Sequence, residues 1–271
     1  MNDAIVWFDD SACLDLRVAG GKGASLAAMA AAGLNVPPGF VIRADVMASL
    51  VDPGALRACA RDLDWTGAQE IVGACAPPRE QIGRAYGRLG GAVAVRSSAC
   101  AEDSEEASFA GQQETFLEVE GVDDVCNRVV ECWASFFSER ALFYRSHKGS
   151  LEDLEMAVVV QTMIDAEKSG VLFTADPVAG RRDRLLVEAV FGLGEQVVSG
   201  EVTPDHYIVD RHGDVKTERL VHGGVLTRGE LKALVEAGTS LEERFGGPQD
   251  IEWAIVGHTL FLLQSRPVTT L

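Results

Sequence analysis

The spacing of apolar residues changes several times along this chain, and the changes mark out its elements. "ASLAAMAAAGL" has helical spacing and closes on Gly33, a good helix C-cap. "NVPPGFVI" is a Pro-Pro turn followed by a short apolar strand. Residues 44 to 90 read as two or three helices broken by "DPG" and "APP". "GAVAVRSSA" is a buried strand running into a loop, "AEDSEEASFAGQQ" is an acidic loop closing on glycine, and "ETFLEV" alternates like a strand. "VDDVCNRVVECWASFFSERALFYRSH" predicts a long amphipathic helix with a break near Ser138.

Beyond it the strand signals dominate. "MAVVVQTMI", "SGVLFTADP" and "RLLVEAVFG" are strand-like, and "EVTPDHYIVDRHGDVKTERL" predicts a hairpin turning at "RHGD". "TRGELKALVEAGTSLEERFG" predicts a helix begun by Thr227 and ended near Gly246. "QDIEWAIVGHTLFLLQSRPV" closes the chain as a second hairpin. Without internal repeats or a regular strand–helix alternation, the expected class is α+β with mostly antiparallel sheets.

Composition narrows this picture. At 271 residues, 47% of them hydrophobic, the chain can form one large domain or two lobes sharing a cleft, and disorder is excluded for most of it. A net charge of −17 repels nucleic acid and anionic lipid, so neither is an expected partner. A phosphate ligand requires a local convergence of basic residues. "MNDAIVWFDD" has no secretion-signal pattern and no apolar run reaches spanning length. Six cysteines without a C-x-x-C pair suit free thiols in a reducing cytoplasm, and the five histidines lack metal-ligand spacing.

Four stretches carry candidate chemistry. "AGGKGASL" sets Lys22 among glycines at a helix start. The P-loop template fails there because Leu16 and Gly23 occupy its required positions; the dinucleotide fingerprint fails because position 26 is leucine. Bare backbone N–H groups, a helix N-terminus and one ammonium still suit an anion; a glycine turn with a solvated lysine is the plain alternative. "AVAVRSS" delivers Arg96 from an apolar strand into a loop, where it suits a phosphate or pairs with the acidic loop that follows. In "SFAGQQETF", Gly111 and Thr115 flank a turn that folds over phosphates or is an ordinary hairpin.

The final hairpin is the fourth. Asp250 and Glu252 share one strand face, Ile251, Trp253 and Ile255 the other, and Leu262, Gln264 and Arg266 share a face of the partner strand. A three-residue turn, Gly257-His258-Thr259, sets Glu252 opposite Gln264 and Asp250 opposite Arg266. A two-residue turn separates these pairs onto opposite faces. The first register gathers oxygens suited to Mg²⁺ beside a guanidinium; cross-strand ion pairs in solvent are the alternative.

Taken in order, "GGKGASLAAM…GLNVPPGFVI", "VAVRSSACAEDSEEASFAGQQETFL", "VVVQTMIDAEKSGVLFTADP", "VEAVFGLGEQVVSGEVTPDHYIVD" and "DIEWAIVGHTLFLLQSRP" resemble the nucleotide-binding domain of phosphoenolpyruvate synthase and pyruvate phosphate dikinase. Rifampicin phosphotransferase carries a similar domain. The resemblance implies an ATP-grasp fold, two lobes clasping ATP, divided here as residues 1–95, with a reduced helical cap, and 96–271. It implies ATP and Mg²⁺ as cofactors. Lys22, Arg96 and Arg266 match the family's phosphate-contacting, catalytic cations, and Gly111 and Thr115 its loop over the phosphates. Gln161 matches the segment lining the adenine pocket, and Glu252 and Gln264 match the pair associated with magnesium and ATP.

Family members continue past "LQSRPVT" into a domain with a phosphorylated histidine, whereas this chain ends at Leu271 and sets none of its histidines in a "T-x-H-A" context. The expectation is therefore a phosphotransferase domain that passes a phosphoryl or pyrophosphoryl group to a histidine on a separate partner. A compact enzyme acting directly on a small molecule is the second reading, and a nucleotide-binding subunit without chemistry the third.

Overall fold

The computed structural model of the chain describes residues 3–99, 114–148, 151–177, 179–194 and 202–268. Two compact units emerge: Met1–Ala28 with Pro38–Met163, and Met29–Pro37 with Ile164–Leu271. Each is built on one sheet, and every recorded strand pair is antiparallel, as the sequence pattern predicts. Position 95/96 lies inside a strand of the first unit.

The sheet of the first unit runs β1 (Ile5–Trp7), β2 (Gly39–Ile42), β5 (Met156–Thr162), β3 (Val93–Ala99), β4 (Thr115–Val119). Alternate residues of these strands form two faces. Phe40, Ile42, Val93, Val95, Val158 and Val160 enter a core completed by Met47, Leu56, Ile82, Trp133 and Phe137 of the covering helices. Four helices, not two or three, fill residues 44 to 90: α2 (Asp45–Leu50), α3 (Pro53–Arg61), α4 (Trp65–Gly73) and α5 (Arg79–Leu89). Two extra starts explain the difference. Asp52 accepts from the N–H of Gly54 at 2.8 Å and Asp64 from that of Gly67 at 3.0 Å, so each aspartate caps a new helix.

The long helix breaks where the pattern placed the break, between α6 (Val122–Ser135) and α7 (Glu139–Lys148). Arg145 fastens the corner. Its buried guanidinium donates to the Phe136 carbonyl at 3.2 Å and to that of Asp153, and lies over the Phe136 ring. Burial pulls its pKa down to about 10. Helix α1 (Leu16–Ala31) packs on the other face of the sheet, where the backbone at Gly23 sits against Val41 and Val159.

In the second unit the order is β11 (Thr259–Pro267), β10 (Gln249–Val256), β6 (Lys168–Phe173), β7 (Arg184–Phe191), β8 (Asp205–Asp210), β9 (Val215–Arg219). The turn between β8 and β9 is the "RHGD" stretch, as expected. Helix α8 (Arg228–Phe245) covers one face. It starts at Thr227 with a capping box to Glu230 and stops at Gly246 in the left-handed conformation, again as expected. Leu231, Leu234 and Leu241 of α8 are buried, as are Leu172, Val187, Tyr207, Ile251 and Trp253 of the sheet. Gly238 lets α8 approach Leu172 closely. The sheet face turned away from α8 carries the polar residues described below. Among the described residues no helix is long and apolar enough to cross a membrane.

Candidate functional site

In the first unit the glycine–lysine turn is assembled by a strand far away in sequence. Gly20 interrupts α1 with φ 67° and ψ 178°, a conformation open in practice to glycine alone. A side-chain carbon there would lie 2.0 Å from the Ser98 carbonyl oxygen, so strand β3 touches bare backbone. Ser98 Oγ then bridges the interruption: it donates to the Ala19 carbonyl at 2.8 Å and accepts from the Gly23 N–H at 3.2 Å. Lys22 is 5% exposed, and its Nζ donates to the Ser97 carbonyl at 2.9 Å.

The same strand supplies Arg96. It is buried and pairs with Thr115 of β4 on one side and Val159 of β5 on the other. Directly paired residues share a face, so Thr115 and Arg96 stand on the α1 side of the sheet, and Val41, opposite Val159, stands with them. One row along, Gln161 faces Ala94 and Gly39. Gln161 is 2% exposed, and among the described residues its Nε2 has no hydrogen-bond acceptor. Lys22, Arg96, Thr115 and Gln161 thus converge on one face, carried by four elements. Gly111 lies outside the described residues.

In the second unit the last hairpin forms the expected pairs by an unexpected route. Asp250 faces Arg266 and Glu252 faces Gln264. Yet the turn has two residues, since Val256 pairs with Thr259. Gly257 has φ 58° and His258 is not among the positive-φ residues, the signature of a type II′ turn. A bulge at Leu263 inserts one residue between the Trp253–Leu262 and Glu252–Gln264 pairs and restores the register. The bulge also corrects the expected face of Leu262. It stands with Trp253 in the core, 2% exposed, while Gln264 and Arg266 stand with Glu252 and Asp250 on the open face.

Arg266 Nε and Nη2 both meet Asp250 Oδ2 at 2.8 Å. Burial pushes the Asp250 carboxyl above the ordinary carboxylate range; Arg266 pulls it back, and Glu252 and Glu188 add to the rise. Glu188 is the residue of this face that sequence reasoning missed. It stands in the row Gln264–Glu252–Val171–Glu188–His206, one residue from each of five adjacent strands. The signal was present in "RLLVEAVF", where a lone carboxylate interrupts the apolar positions Leu186 and Val190. Among the described residues no group of three or more His, Cys, Asp or Glu could hold a metal by itself.

Comparison with known proteins gives this arrangement a context. The model of the pyruvate phosphate dikinase AMP/ATP-binding domain matches residues 16–223 and 213–271. A probable phosphoenolpyruvate synthase of Archaeoglobus fulgidus is 38% identical over 315 residues, covering 98% of this chain and 42% of that protein. A rifampicin phosphotransferase of Streptomyces sviceus is 41% identical over 307 residues, covering 94% of this chain and 35% of that protein. The chain therefore spans less than half the length of these relatives. An ADP complex of N5-carboxyaminoimidazole ribonucleotide synthetase is more loosely alike, with a TM-score of 0.42 and 10% identity, covering 94% of this chain and 46% of that one. A match across nearly all of its residues settles the family: this chain belongs to the pyruvate phosphate dikinase AMP/ATP-binding domains.

Proposed function

We propose that the chain binds Mg-ATP in the ATP-grasp manner and passes a phosphoryl or pyrophosphoryl group to a histidine on a separate domain or protein. The observation that carries this reading is the convergence of Lys22, Arg96, Thr115 and Gln161 on one sheet face. Lys22 and Arg96 place two buried cations beside one strand of a protein of net charge −17, which suits a triphosphate. Lys22 and Arg96 would offset phosphate charge. With Arg266, they would stabilise charge on the transferring group, which is the larger part of such catalysis. Thr115 would donate to a phosphate oxygen. The Gln161 amide, whose Nε2 meets no acceptor among the described residues, fits an acceptor atom of the base.

The donor set of the second unit fits magnesium. Glu252 and Gln264 offer hard oxygens side by side, and this ion takes few protein ligands and completes its shell with water and phosphate. Magnesium, when bound, neutralises charge on the phosphates. The task of Glu252 and Gln264 is to hold it, and that of Asp250 is to keep Arg266 oriented until phosphate competes for it.

One relative, 41% identical, is named for phosphorylating rifampicin, which favours a second reading in which the final acceptor is a small molecule. A single experiment addresses both. The chain is incubated with Mg-ATP alone, with a histidine-bearing acceptor domain from a relative, or with small-molecule acceptors, and the nucleotide products are identified. Acceptor-dependent AMP with label on histidine supports pyrophosphoryl transfer, and ADP supports simple phosphoryl transfer. Arg96→Ala and Arg266→Ala should each lower turnover roughly 10²-fold. Tight ATP binding without turnover, or unchanged turnover in both variants, would overturn the proposal.

A further inference from the structure

We infer that Glu188 is a further residue of the magnesium half-site, taking a water of the ion's shell while His206 holds it in position; this rests on the Mg-ATP reading above. Glu188 pairs with Val171 and Val171 with Glu252, so both carboxylates occupy one cross-strand row. Two strand spacings separate their backbones, about 9–10 Å, with only a valine side chain to reach across. Both stand on the face turned away from α8.

Glu188 is half-buried on a mostly apolar stretch of this face, its side chain 31% exposed. Its neighbours along the strand on this face are Leu186 and Val190, and across β6 stand Ser169, Val171 and Phe173. His206 is its polar neighbour on β8, with Nδ1 3.6 Å from Glu188 Oε1, longer than a hydrogen bond. Among the described residues no donor meets the other oxygen. Oε1 is thus the oxygen nearer His206, and the carboxylate belongs to the row that ends in Glu252 and Gln264.

Magnesium dehydrates reluctantly and keeps several waters, so a site with two protein oxygens needs acceptors for those waters. Outer residues of this kind shape affinity: removing one typically costs 10- to 100-fold. Glu188 is here a positioning residue. It acts on the ion through water and does not touch the reacting atoms.

The test compares wild type, Glu188→Gln, Glu252→Gln and His206→Asn in binding the β,γ-imido analogue of ATP. Mn²⁺ affinity in the ternary complex is read by electron paramagnetic resonance, and metal-free nucleotide affinity by calorimetry. Glu188→Gln should lose about 10-fold or more in Mn²⁺ affinity with metal-free affinity unchanged, and His206→Asn should lose less in the same direction. Wild-type Mn²⁺ affinity in Glu188→Gln beside a loss in Glu252→Gln overturns the role of Glu188 and leaves the Mg-ATP reading standing. Wild-type affinity in both overturns that reading itself. An equal loss of metal-free affinity in Glu188→Gln marks a structural role and overturns the inference.

Discussion

Gly20→Ala should damage this protein far more than a methyl group ordinarily does. The φ of 67° with ψ of 178° places Gly20 in a region almost closed to other residues, at a cost of roughly 1–3 kcal/mol for alanine. The new carbon would also sit 2.0 Å from the Ser98 carbonyl oxygen, where ordinary contact begins at 3.4 Å, so β3 must retreat by about 1.4 Å. Overpacking of this kind adds roughly 1–3 kcal/mol. The sum, roughly 2–6 kcal/mol, is a large share of a typical stability of about 5–15 kcal/mol. The retreat would pull the Ser97 carbonyl from Lys22 Nζ and the Ser98 hydroxyl from Ala19 and Gly23. Gly33→Ala is the internal control. Its φ of 75° is also positive, but no heavy atom lies within 4 Å of the added carbon, so only a backbone cost of roughly 1–2 kcal/mol remains. Urea unfolding of both variants, followed by ATP titration of any folded fraction, measures the difference. A Gly20→Ala protein no less stable than Gly33→Ala would refute the close approach of β3 to α1.

Other consequences are as direct. Asp205 is buried at the start of β8; burial pushes its carboxyl up, but N–H groups of Val221, His222, Gly224 and Val225 at 2.6–2.9 Å outweigh this and hold the pKa below its ordinary 3.8. Asp205→Asn should cost about 3 kcal/mol at pH 7. Wild type loses that advantage as pH falls below 3.8 through the lower folded value, so the gap between the two in urea titrations should narrow by pH 3; an equal gap at both pH values contradicts the clamp. Trp253 is fully buried, and among the described residues its indole N–H meets no acceptor, so Trp253→Phe should cost under about 1.5 kcal/mol while Trp253→Ala costs about 3–5 in thermal unfolding. Arg145→Lys should lose about 2–3 kcal/mol, because an ammonium cannot reach both carbonyls and stack on Phe136; wild-type stability would show that charge alone fastens the corner.

What was legible in the sequence was local. The capping box at Thr227, the glycine stop at Gly246, the "RHGD" turn and the break near Ser138 each follow from a few neighbouring residues. The four helices between residues 44 and 90 were undercounted because Asp52 and Asp64 act as caps only once the chain turns there. The final hairpin shows how a right pairing can have a different cause. Counting residues from the turn makes Glu252 and Gln264 partners only if the turn has three residues, yet the extra residue is Leu263, inside the strand. A bulge leaves little trace in an apolar run such as "LFLL", because both faces accept leucine.

The parts that stayed hidden share one physical trait, which is distance along the chain. Ser98 braces the Gly20 interruption across 75 to 79 residues, and nothing within "AGGKGASL" announces that its partner is a serine hydroxyl on β3. Glu188 joins Glu252 only through the register of two successive strand pairs. Burial also bears on how a chain of net charge −17 would receive a phosphate in the proposed site. Recorded carboxylate pairs such as Glu152–Arg61 and Asp123–Arg79 are exposed and screened by water, whereas Lys22 and Arg96 are removed from solvent and fixed to one strand. If Lys22 and Arg96 meet phosphate as proposed, their burial limits screening, and raising ionic strength should weaken nucleotide binding far less than it weakens the exposed pairs. A nucleotide affinity that falls with salt as steeply as expected for solvent-exposed charges would place Lys22 and Arg96 outside the binding machinery.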